Sequence, residues 1–274
     1  MSSPILQQIQ ETVSYLKTRY TAIPEVGIVL GSGLGNFTRE ITIEAEVPYA
    51  EIPHFPVSTV EGHSGRLIFG ELAGKKVVAM AGRFHYYEGY TPQEVVFPVR
   101  VMKYLGVKTV LLSNAAGAVN PDFNVGDIMI IRDHVSFFTP NPLIGKNIAE
   151  LGPRFPDMSE PYKKQLINKA KAIGAENGFD LKEGVYVAVT GPTFETRAEY
   201  KLIHFAGGDV VGMSTVQETI AAVHMGLDVF AASVVTDIGI REEENVITHE
   251  EVLAAAKEAE PKLALLFKEL VRTI

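Results

Sequence analysis

Short, uninterrupted runs of apolar residues alternate with longer amphipathic stretches along the chain, and this alternation constrains the fold more than any other feature. The short runs are rich in valine, isoleucine and alanine, which is typical of strands that are buried on both faces. The strands predicted in this way are VGIVLGSG, RLIFGEL, KKVVAMAG, VKTVLLSN, VGDIMII, GVYVAVTG, DVVGMST and DVFAASVVT. The intervening stretches predict helices over residues 3–20, 91–105, 159–177, 197–206 and 215–226, and a final helix from about residue 248.

Helix start signals support this division. Thr91 is followed by a proline and, three residues later, by Glu94, which is the pattern of an N-cap with a capping box, and Thr248 begins a similar sequence. No linker and no internal repeat interrupts the alternation. We therefore predict an α/β fold, a single domain over residues 1–274 with a large mixed central β-sheet flanked by helices. The proline-rich stretch 140–161 is predicted to be a long ordered loop, and such loops are usually functional.

The composition excludes several classes of function. The 25 Lys and Arg residues stand against 33 Asp and Glu residues, and a net charge of −8 without a basic block argues against nucleic-acid binding. The absence of cysteine excludes disulfides, thiolate nucleophiles and cysteine-bound metals. No apolar run reaches the roughly 18 residues of a membrane span, and the polar opening MSSPILQQIQETVSYLKTRY does not have the layout of a signal peptide. These observations predict a cytoplasmic protein that contacts no membrane.

A glycine-rich turn, VLGSGLGN at 29–36, follows the first predicted strand. Its backbone N–H groups could cradle an anion, and the Ser32 hydroxyl adds a donor. The spacing differs from the G-x-G-x-x-G fingerprint of dinucleotide-binding proteins because Gly35 comes one residue early. An anion site and a plain tight turn both remain open at this point.

An anion clamp is predicted in AGRFHYYEGY at 81–90. Arg83 and His85 are two residues apart at a strand end, so their side chains can point the same way, and an arginine offers two parallel N–H groups to a phosphate. His63, in the glycine-flanked loop of EGHSGRLIFG, could close over them. The alternatives are a surface arginine with a core histidine, and a metal site at His85 and Glu88, for which the sequence shows no second pair of ligands.

Further strand ends carry residues with chemical potential. In LLSNAAGAVNP, Ala115 can offer its backbone N–H to a ligand. In TGPTFETRAEY, Phe194 and Glu195 suit a flat heterocycle, because the ring can stack on it and the carboxylate can accept one of its N–H groups. A glutamate that caps the following helix is the alternative. Ser214 lies in a turn that leads into a helix N-terminus, a natural phosphate site, and Asp237 follows the last predicted strand.

Together these motifs resemble the trimeric class of purine nucleoside phosphorylases over essentially the whole chain. The matching motifs, in that family's order, are GSGLG, GH-x-GRL, GRFH-x-YEGY, NAAGAVNP, RFPDMS, GPTFETRAE, VGMST and HEEVLAAA. The resemblance implies reversible phosphorolysis, in which phosphate attacks C1′ of a purine (deoxy)ribonucleoside to give the free base and (deoxy)ribose 1-phosphate. It implies no metal and no organic cofactor, with inorganic phosphate as a co-substrate, and a homotrimeric enzyme of purine salvage.

The resemblance also implies a role for each residue of the site. The phosphate-binding residues are Ser32, His63, Arg83, His85, Ala115 (through its backbone) and Ser214. The nucleoside-binding residues are Tyr87, Phe155, Phe194, Glu195, Val211, Met213, Asp237 and His249. The catalytic residues are His85, Glu195 and Asp237, and Glu88 orients His85. Phe155 of one subunit reaches the site of its neighbour.

The substrate depends on two positions. His249 disfavours the alternative of a 5′-methylthioadenosine phosphorylase, because a polar ring suits a 5′-hydroxyl and a methylthio group prefers an apolar wall. Asp237 departs from the resemblance, since members selective for 6-oxopurines usually carry Asn there, and an ionised Asp repels the lone pairs of purine N7 and O6. We expect a phosphorylase that favours inosine and guanosine, has measurable adenosine activity and has a pH optimum displaced toward acid. A nicotinamide-dependent oxidoreductase and a non-catalytic nucleotide-binding protein are the alternatives from other classes.

Overall fold

The apolar runs pair into one mixed β-sheet. In the computed structural model, which describes residues 3–57, 59, 64–240 and 247–274, the sheet has nine strands. They are β1 (Val26–Val29), β2 (Thr42–Pro48), β3 (Arg66–Leu72), β4 (Lys75–Ala81), β5 (Thr109–Ala118), β6 (Ile128–Val135), β7 (Leu181–Ala188), β8 (Val210–Gly212) and β9 (Asp228–Ile238). Their order is β2-β3-β4-β1-β5-β8-β7-β6-β9, and β9 also pairs with β5.

The pairing of the central strands determines where a ligand can bind. β1 is parallel to both of its neighbours, β4 and β5, and β5 is parallel to β9. The carboxyl ends of these four strands therefore meet at one edge of the sheet, which is where ligands of α/β sheets bind. Because β9 pairs with both β6 and β5, the last five strands of the order close into a ring.

Helices flank the sheet. Those in the described ranges are α1 (Pro4–Arg19), α2 (Pro92–Val95), α3 (Phe97–Leu105), α4 (Lys164–Glu176), α5 (Arg197–Phe205), α6 (Val216–His224) and α7 (His249–Thr273). α1 and α6 pack on α3, while α7 packs on both α4 and β9. The predicted caps are confirmed, because the hydroxyls of Thr91 and Thr248 accept from the backbone N–H groups of Glu94 and Glu251. The predicted class, a mixed sheet flanked by helices, is also confirmed.

Two predicted helix boundaries are wrong. The helix expected over 91–105 is divided into α2 and α3, because Pro98 has no N–H to donate and its ring would collide with the carbonyl of the residue four positions earlier. The helix expected over 159–177 begins only at Lys164. The residues before it form a turn that buries the Tyr162 ring, whose hydroxyl lies 3.0 Å from the His134 imidazole.

One strand, β2, was not predicted. It lies at an edge of the sheet as far as the structure describes it, pairs with β3 and is mostly exposed. The predicted long loop over 140–161 is confirmed, since residues 136–163 contain no helix or strand. Within the described ranges, no helix combines the length and the apolar character needed to cross a membrane.

Candidate active site

A cavity of about 330 Å³ lies at the sheet edge where β1, β4, β5 and β9 end. Its volume is in the range of small-molecule sites. The residues predicted for the site that line it are Ser32, Arg83, His85, Tyr87, Ala115, Phe194, Glu195, Val211, Met213, Ser214, Asp237 and His249. The structure therefore brings residues of both predicted sets, for phosphate and for nucleoside, to one wall.

Two residues predicted for the site are not on this wall. His63 lies outside the described residues. Phe155 is 87% exposed and lies in the long loop, on the rim of a different surface depression. A role for Phe155 in this cavity would have to come from another copy of the chain.

Arg83 is the most buried charged residue on the wall, with 1% of its surface exposed. Its Nε donates to Oε1 of Glu218 at 2.8 Å, and its Nη2 lies 2.8 Å from the same oxygen. Its Nη1 donates to the Ser113 carbonyl at 2.5 Å. The alternative of a surface arginine is therefore wrong, and the guanidinium is fixed by a buried ion pair rather than presenting its whole fork to the cavity.

His85 is held by the carboxylate of Glu88. Oε1 of Glu88 accepts from the His85 backbone N–H at 2.8 Å and lies 3.1 Å from Nδ1, while Oε2 accepts from the Thr59 N–H and hydroxyl at 2.8 and 2.7 Å. Burial raises the pKa of Glu88, but these hydrogen bonds outweigh burial and lower that pKa to about 2. The carboxylate can then only accept, so Nδ1 of His85 carries the proton. Burial lowers the pKa of His85, and this effect outweighs the opposing effect of Glu88. The neutral imidazole is therefore favoured.

Ser214 lies directly before α6 in a network that includes Thr215. Its N–H donates to the Tyr186 hydroxyl at 3.2 Å, and its hydroxyl lies 3.1 Å from the Thr215 hydroxyl, which accepts from Nδ2 of Asn114 at 2.9 Å. Thr215 has φ +70° and ψ −46°, and the Val216 N–H donates to the Ser214 carbonyl at 2.7 Å. This is the rare, strained form of γ-turn, and such strain persists where the surrounding structure enforces it, often at functional sites.

Two carboxylates face the same cavity, Glu195 before α5 and Asp237 near the end of β9. Burial raises the pKa of Glu195, and the charge of Asp237 raises it further. Oδ1 of Asp237 accepts from the Thr236 hydroxyl at 2.9 Å, and Oδ2 packs against Gly117. The alternative in which Glu195 caps α5 is wrong, because Thr196 is the N-cap of that helix.

Tyr87 and Met213 adjoin the histidine. The His85 ring stacks on Tyr87 with 4.7 Å between ring centroids. Tyr87 and Met213 both pack against Gly191, where a side chain would collide with the Met213 sulfur. His249, at the head of α7, also lines the cavity. The wall thus joins hydrogen-bond donors, an aromatic and thioether surface, and two carboxylates.

This arrangement can bind an anion together with a ligand that has N–H groups. Hydroxyls, backbone N–H groups and the start of α6 suit an anion, and carboxylates suit N–H donors. Among the described residues, no group of three or more His, Asp or Glu side chains is placed to hold a metal ion.

Four residues that hold the site residues in place were not predicted from the sequence: Glu218, Asn114, Thr215 and Tyr186. Glu218 carried a signal, since it is the one acidic residue in the helix sequence VQETIAAVH, one turn after Ser214. Asn114 and Thr215 stand within the motifs NAAGAVNP and VGMST but had no assigned role, and Tyr186 carried no signal because it is an ordinary residue of a buried strand.

Comparison with known proteins identifies the family. A model of the phosphorylase superfamily matches residues 25–272. Purine nucleoside phosphorylase 1 of Geobacillus stearothermophilus is 47% identical over 266 residues, covering 97% of this chain and 97% of that protein. The crystal structure of isoform 2 of purine nucleoside phosphorylase from Schistosoma mansoni, in complex with cytosine and ribose-1-phosphate, matches with a TM-score of 0.93 and 42% identity, covering 98% of this chain and 96% of its own. The Schistosoma mansoni enzyme in complex with adenosine matches with a TM-score of 0.93 and 40% identity, covering 98% of each chain.

The family model, the bacterial relative and the solved structures agree along nearly the whole length of the chain. They confirm the resemblance that the motifs indicated. The chain belongs to the phosphorylase superfamily and, within it, to the purine nucleoside phosphorylases, which are enzymes of the glycosyl-transferring phosphorylase type.

Proposed function

We propose that this enzyme catalyses the reversible phosphorolysis of purine ribonucleosides and deoxyribonucleosides to the free base and (deoxy)ribose 1-phosphate. One observation carries the proposal: the same cavity wall holds donors suited to phosphate and carboxylates suited to a purine. The relative that was solved with cytosine and ribose-1-phosphate supports it. Inorganic phosphate is a co-substrate in this proposal, and no cofactor takes part.

Phosphate would bind among Ser32, Arg83, His85, the Ala115 N–H and Ser214. The Ser32 and Ser214 hydroxyls and the Ala115 N–H are neutral donors, while Nε2 of the neutral His85 can accept from a protonated phosphate oxygen. The start of α6 adds the partial positive charge of a helix N-terminus. His63 belongs to the same proposed set. In the reaction, a phosphate oxygen bonds to C1′ while the bond from C1′ to the purine nitrogen breaks, and the electron pair leaves with the base, which takes up a proton.

No covalent enzyme intermediate is needed. The sugar develops oxocarbenium character and the departing purine develops negative charge, so a positioned phosphate and hydrogen bonds to the base both favour the transition state. Holding the two reactants in line can supply roughly 7–11 kcal/mol, which makes placement the largest contribution.

The base would lie against Phe194 and Val211, with the two carboxylates at its edge. An ionised Glu195 accepts from the N1–H of a 6-oxopurine, which favours inosine and guanosine. Asp237 either donates to N7 when protonated or accepts from a 6-amino group when ionised, which allows adenosine as a weaker substrate. The Schistosoma mansoni structure in complex with adenosine supports room for a 6-aminopurine in a relative's site.

A 5′-methylthioadenosine phosphorylase is not favoured. The named relatives are purine nucleoside phosphorylases. The polar ring of His249 on the cavity wall suits a 5′-hydroxyl rather than a methylthio group. Phe155 is proposed to complete the site of a neighbouring subunit in a homotrimer.

The experiment that tests the reaction measures release of hypoxanthine from inosine with and without phosphate. We expect release to require phosphate and to yield one ribose 1-phosphate for each base. Equal release without phosphate indicates a hydrolase and overturns the proposal. A higher kcat/KM for 5′-methylthioadenosine than for inosine would establish the alternative substrate.

A further inference from the structure

Glu218 is a buried acidic residue that forms an ion pair with Arg83, the arginine predicted to bind an anion. It lies in the first turn of α6, is 3% exposed and does not line the cavity itself. Its Oε1 contacts both Nε and Nη2 of Arg83 at 2.8 Å. A carboxylate that is this buried is costly unless it is paired, and Arg83 is its partner.

The ion pair changes the charge that an anion meets. Among the described residues on the cavity wall, Arg83 is the one Arg or Lys. Burial also favours the neutral form of His85, and Glu195 and Asp237 lie on the same wall. With the charge of Arg83 balanced by Glu218, a phosphate dianion is bound mainly by neutral donors rather than by net positive charge.

Weak binding has a use in a reversible phosphorolysis. The phosphate of the substrate and the phosphate group of the sugar product occupy the same subsite, so every gain in anion affinity also slows product release. Tighter binding of substrate and transition state alike lowers KM without raising kcat. A carboxylate behind the arginine limits that uniform binding while it keeps the guanidinium oriented.

We propose that Glu218 is a positioning residue that orients Arg83 and, by balancing its charge, keeps the affinity for phosphate and for the sugar phosphate low enough for turnover. The proposal rests on the proposed function. It concerns a residue behind the anion subsite rather than one that touches the ligand.

The test is the affinity of the purified protein for inorganic phosphate, measured by calorimetry without nucleoside, in wild type and Glu218→Gln. Glutamine has nearly the same shape and keeps one oxygen that can accept from Arg83, while it removes the charge and replaces the other oxygen by an NH2 group. We expect the phosphate Kd to fall about three- to tenfold, as for loss of a nearby negative charge in a partly buried site. In the inosine assay the phosphate KM falls by the same factor while kcat does not rise.

Glu260→Gln is the matched control. Glu260 is also buried, accepts from the Phe37 N–H and the Asn36 amide, and does not line the cavity. We expect this variant to lose stability without changing the phosphate Kd. A double-mutant cycle of Glu218→Gln with Arg83→Met should give a non-additive effect on phosphate affinity, because the two residues share one buried ion pair.

A phosphate Kd for Glu218→Gln that is unchanged or higher overturns the proposal. If Glu218→Gln does not fold, Glu218→Asp is the second variant, because its shorter side chain withdraws the carboxylate from Arg83. We expect Glu218→Asp to lower the phosphate Kd by a smaller factor. An unchanged or higher Kd for that variant also overturns the proposal. Wild-type protein that binds phosphate but does not release hypoxanthine from inosine contradicts the proposed reaction alone, because the Kd comparison does not depend on turnover.

Discussion

The orientation of the Asp237 carboxylate on the cavity wall makes it the residue proposed to set the choice between 6-oxo- and 6-aminopurines. Oδ1 is held by the Thr236 hydroxyl and Oδ2 packs against Gly117, so the carboxylate has a defined orientation on the cavity wall. Asparagine has nearly the same shape but donates an N–H that purine N7 and O6 can accept. We expect Asp237→Asn to raise the ratio of kcat/KM for inosine over adenosine by on the order of tenfold, the value of one hydrogen bond in a closed site, and to move the inosine optimum to higher pH. If neither the ratio nor the pH profile changes, Asp237 does not contact the base.

We expect Glu195 to make kcat/KM for inosine depend on pH. Burial raises its pKa, and the neighbouring charge of Asp237 adds to the shift. In the proposed binding mode Glu195 accepts from a purine N1–H, and the ionised carboxylate is the stronger acceptor. We therefore expect kcat/KM for inosine to fall as the pH drops through this raised pKa. That decline begins at a higher pH than it would for an exposed glutamate. The pH dependence of kcat/KM reports the pKa of Glu195 in the free enzyme. Glu195→Gln should abolish this acid limb, and a limb that persists unchanged in the variant assigns it to another group.

The residues that line the cavity were predictable where they belong to short sequence motifs. The residues that support them through long-range contacts were not. Arg83 and His85 follow β4 and Ser32 follows β1 in short motifs, so the meeting of the carboxyl ends of these parallel strands at one edge was enough to bring them together. Glu218 meets Arg83 from 135 positions away in sequence, and Asn114 meets Thr215 from 101 positions away. Neither distance is encoded by a local pattern, so these supports needed the tertiary structure.

Strands with an uninterrupted apolar sequence were predictable. Elements whose sequence includes charged residues or a proline were not. β4 and β9 are buried along most of their length and match the predicted runs closely. β2 buries little of its length and carries Glu44 and Glu46 among alternating apolar residues, as suits an edge strand that must resist pairing with other chains. Pro98 divides one predicted helix into α2 and α3. The capping box and the apolar periodicity predicted the helix, but neither pattern takes account of the N–H that a proline lacks.

From the turn before α6 we expect two substitutions of Thr215 to differ in stability. Alanine removes the hydroxyl that accepts from Asn114 and lies against Ser214, and should cost about 1–2 kcal/mol of unfolding free energy. Glycine removes the same hydroxyl but also relieves the positive-φ strain of about 1–3 kcal/mol, which offsets its entropic cost of about 0.5–1 kcal/mol. Thr215→Gly should therefore be at least as stable as Thr215→Ala in urea unfolding, while both raise the phosphate KM because Ser214 loses its support. A glycine variant less stable than the alanine variant shows that the turn is not strained.

Large apolar side chains are exposed on the surface of the single chain. Phe137 is 91% exposed, Phe205 is 89% exposed and Phe155 is 87% exposed. Singly exposed apolar residues are common on protein surfaces, so a partner surface has to be argued from position as well as exposure. Phe155 stands out because it belongs to the long loop, beside Arg154, whose guanidinium lies 5.6 Å from its ring centroid.

Phe155 therefore tests whether the active site is shared between copies of the chain. If its ring packs on the nucleoside of a neighbouring subunit, Phe155→Ala should raise the nucleoside KM by about tenfold or more, the equivalent of about 1.4 kcal/mol, and leave the phosphate Kd unchanged. Phe205→Ala removes a ring of similar exposure from α5 and should keep kcat/KM within about twofold, the range of an ordinary surface substitution.

Subunit mixing separates a shared site from a merely exposed ring. A Phe155→Ala chain keeps its own cavity, and a His85→Ala chain keeps its Phe155, so a mixed oligomer contains sites in which an intact cavity meets an intact ring. We expect activity above the sum of the two variants after the subunits are exchanged by dilution from mild denaturant, and sedimentation should show an oligomer at the assay concentration. Full activity of a dilute wild-type monomer, or mixtures no more active than their components, would mean that each chain completes its own site and that the exposed Phe155 has another role.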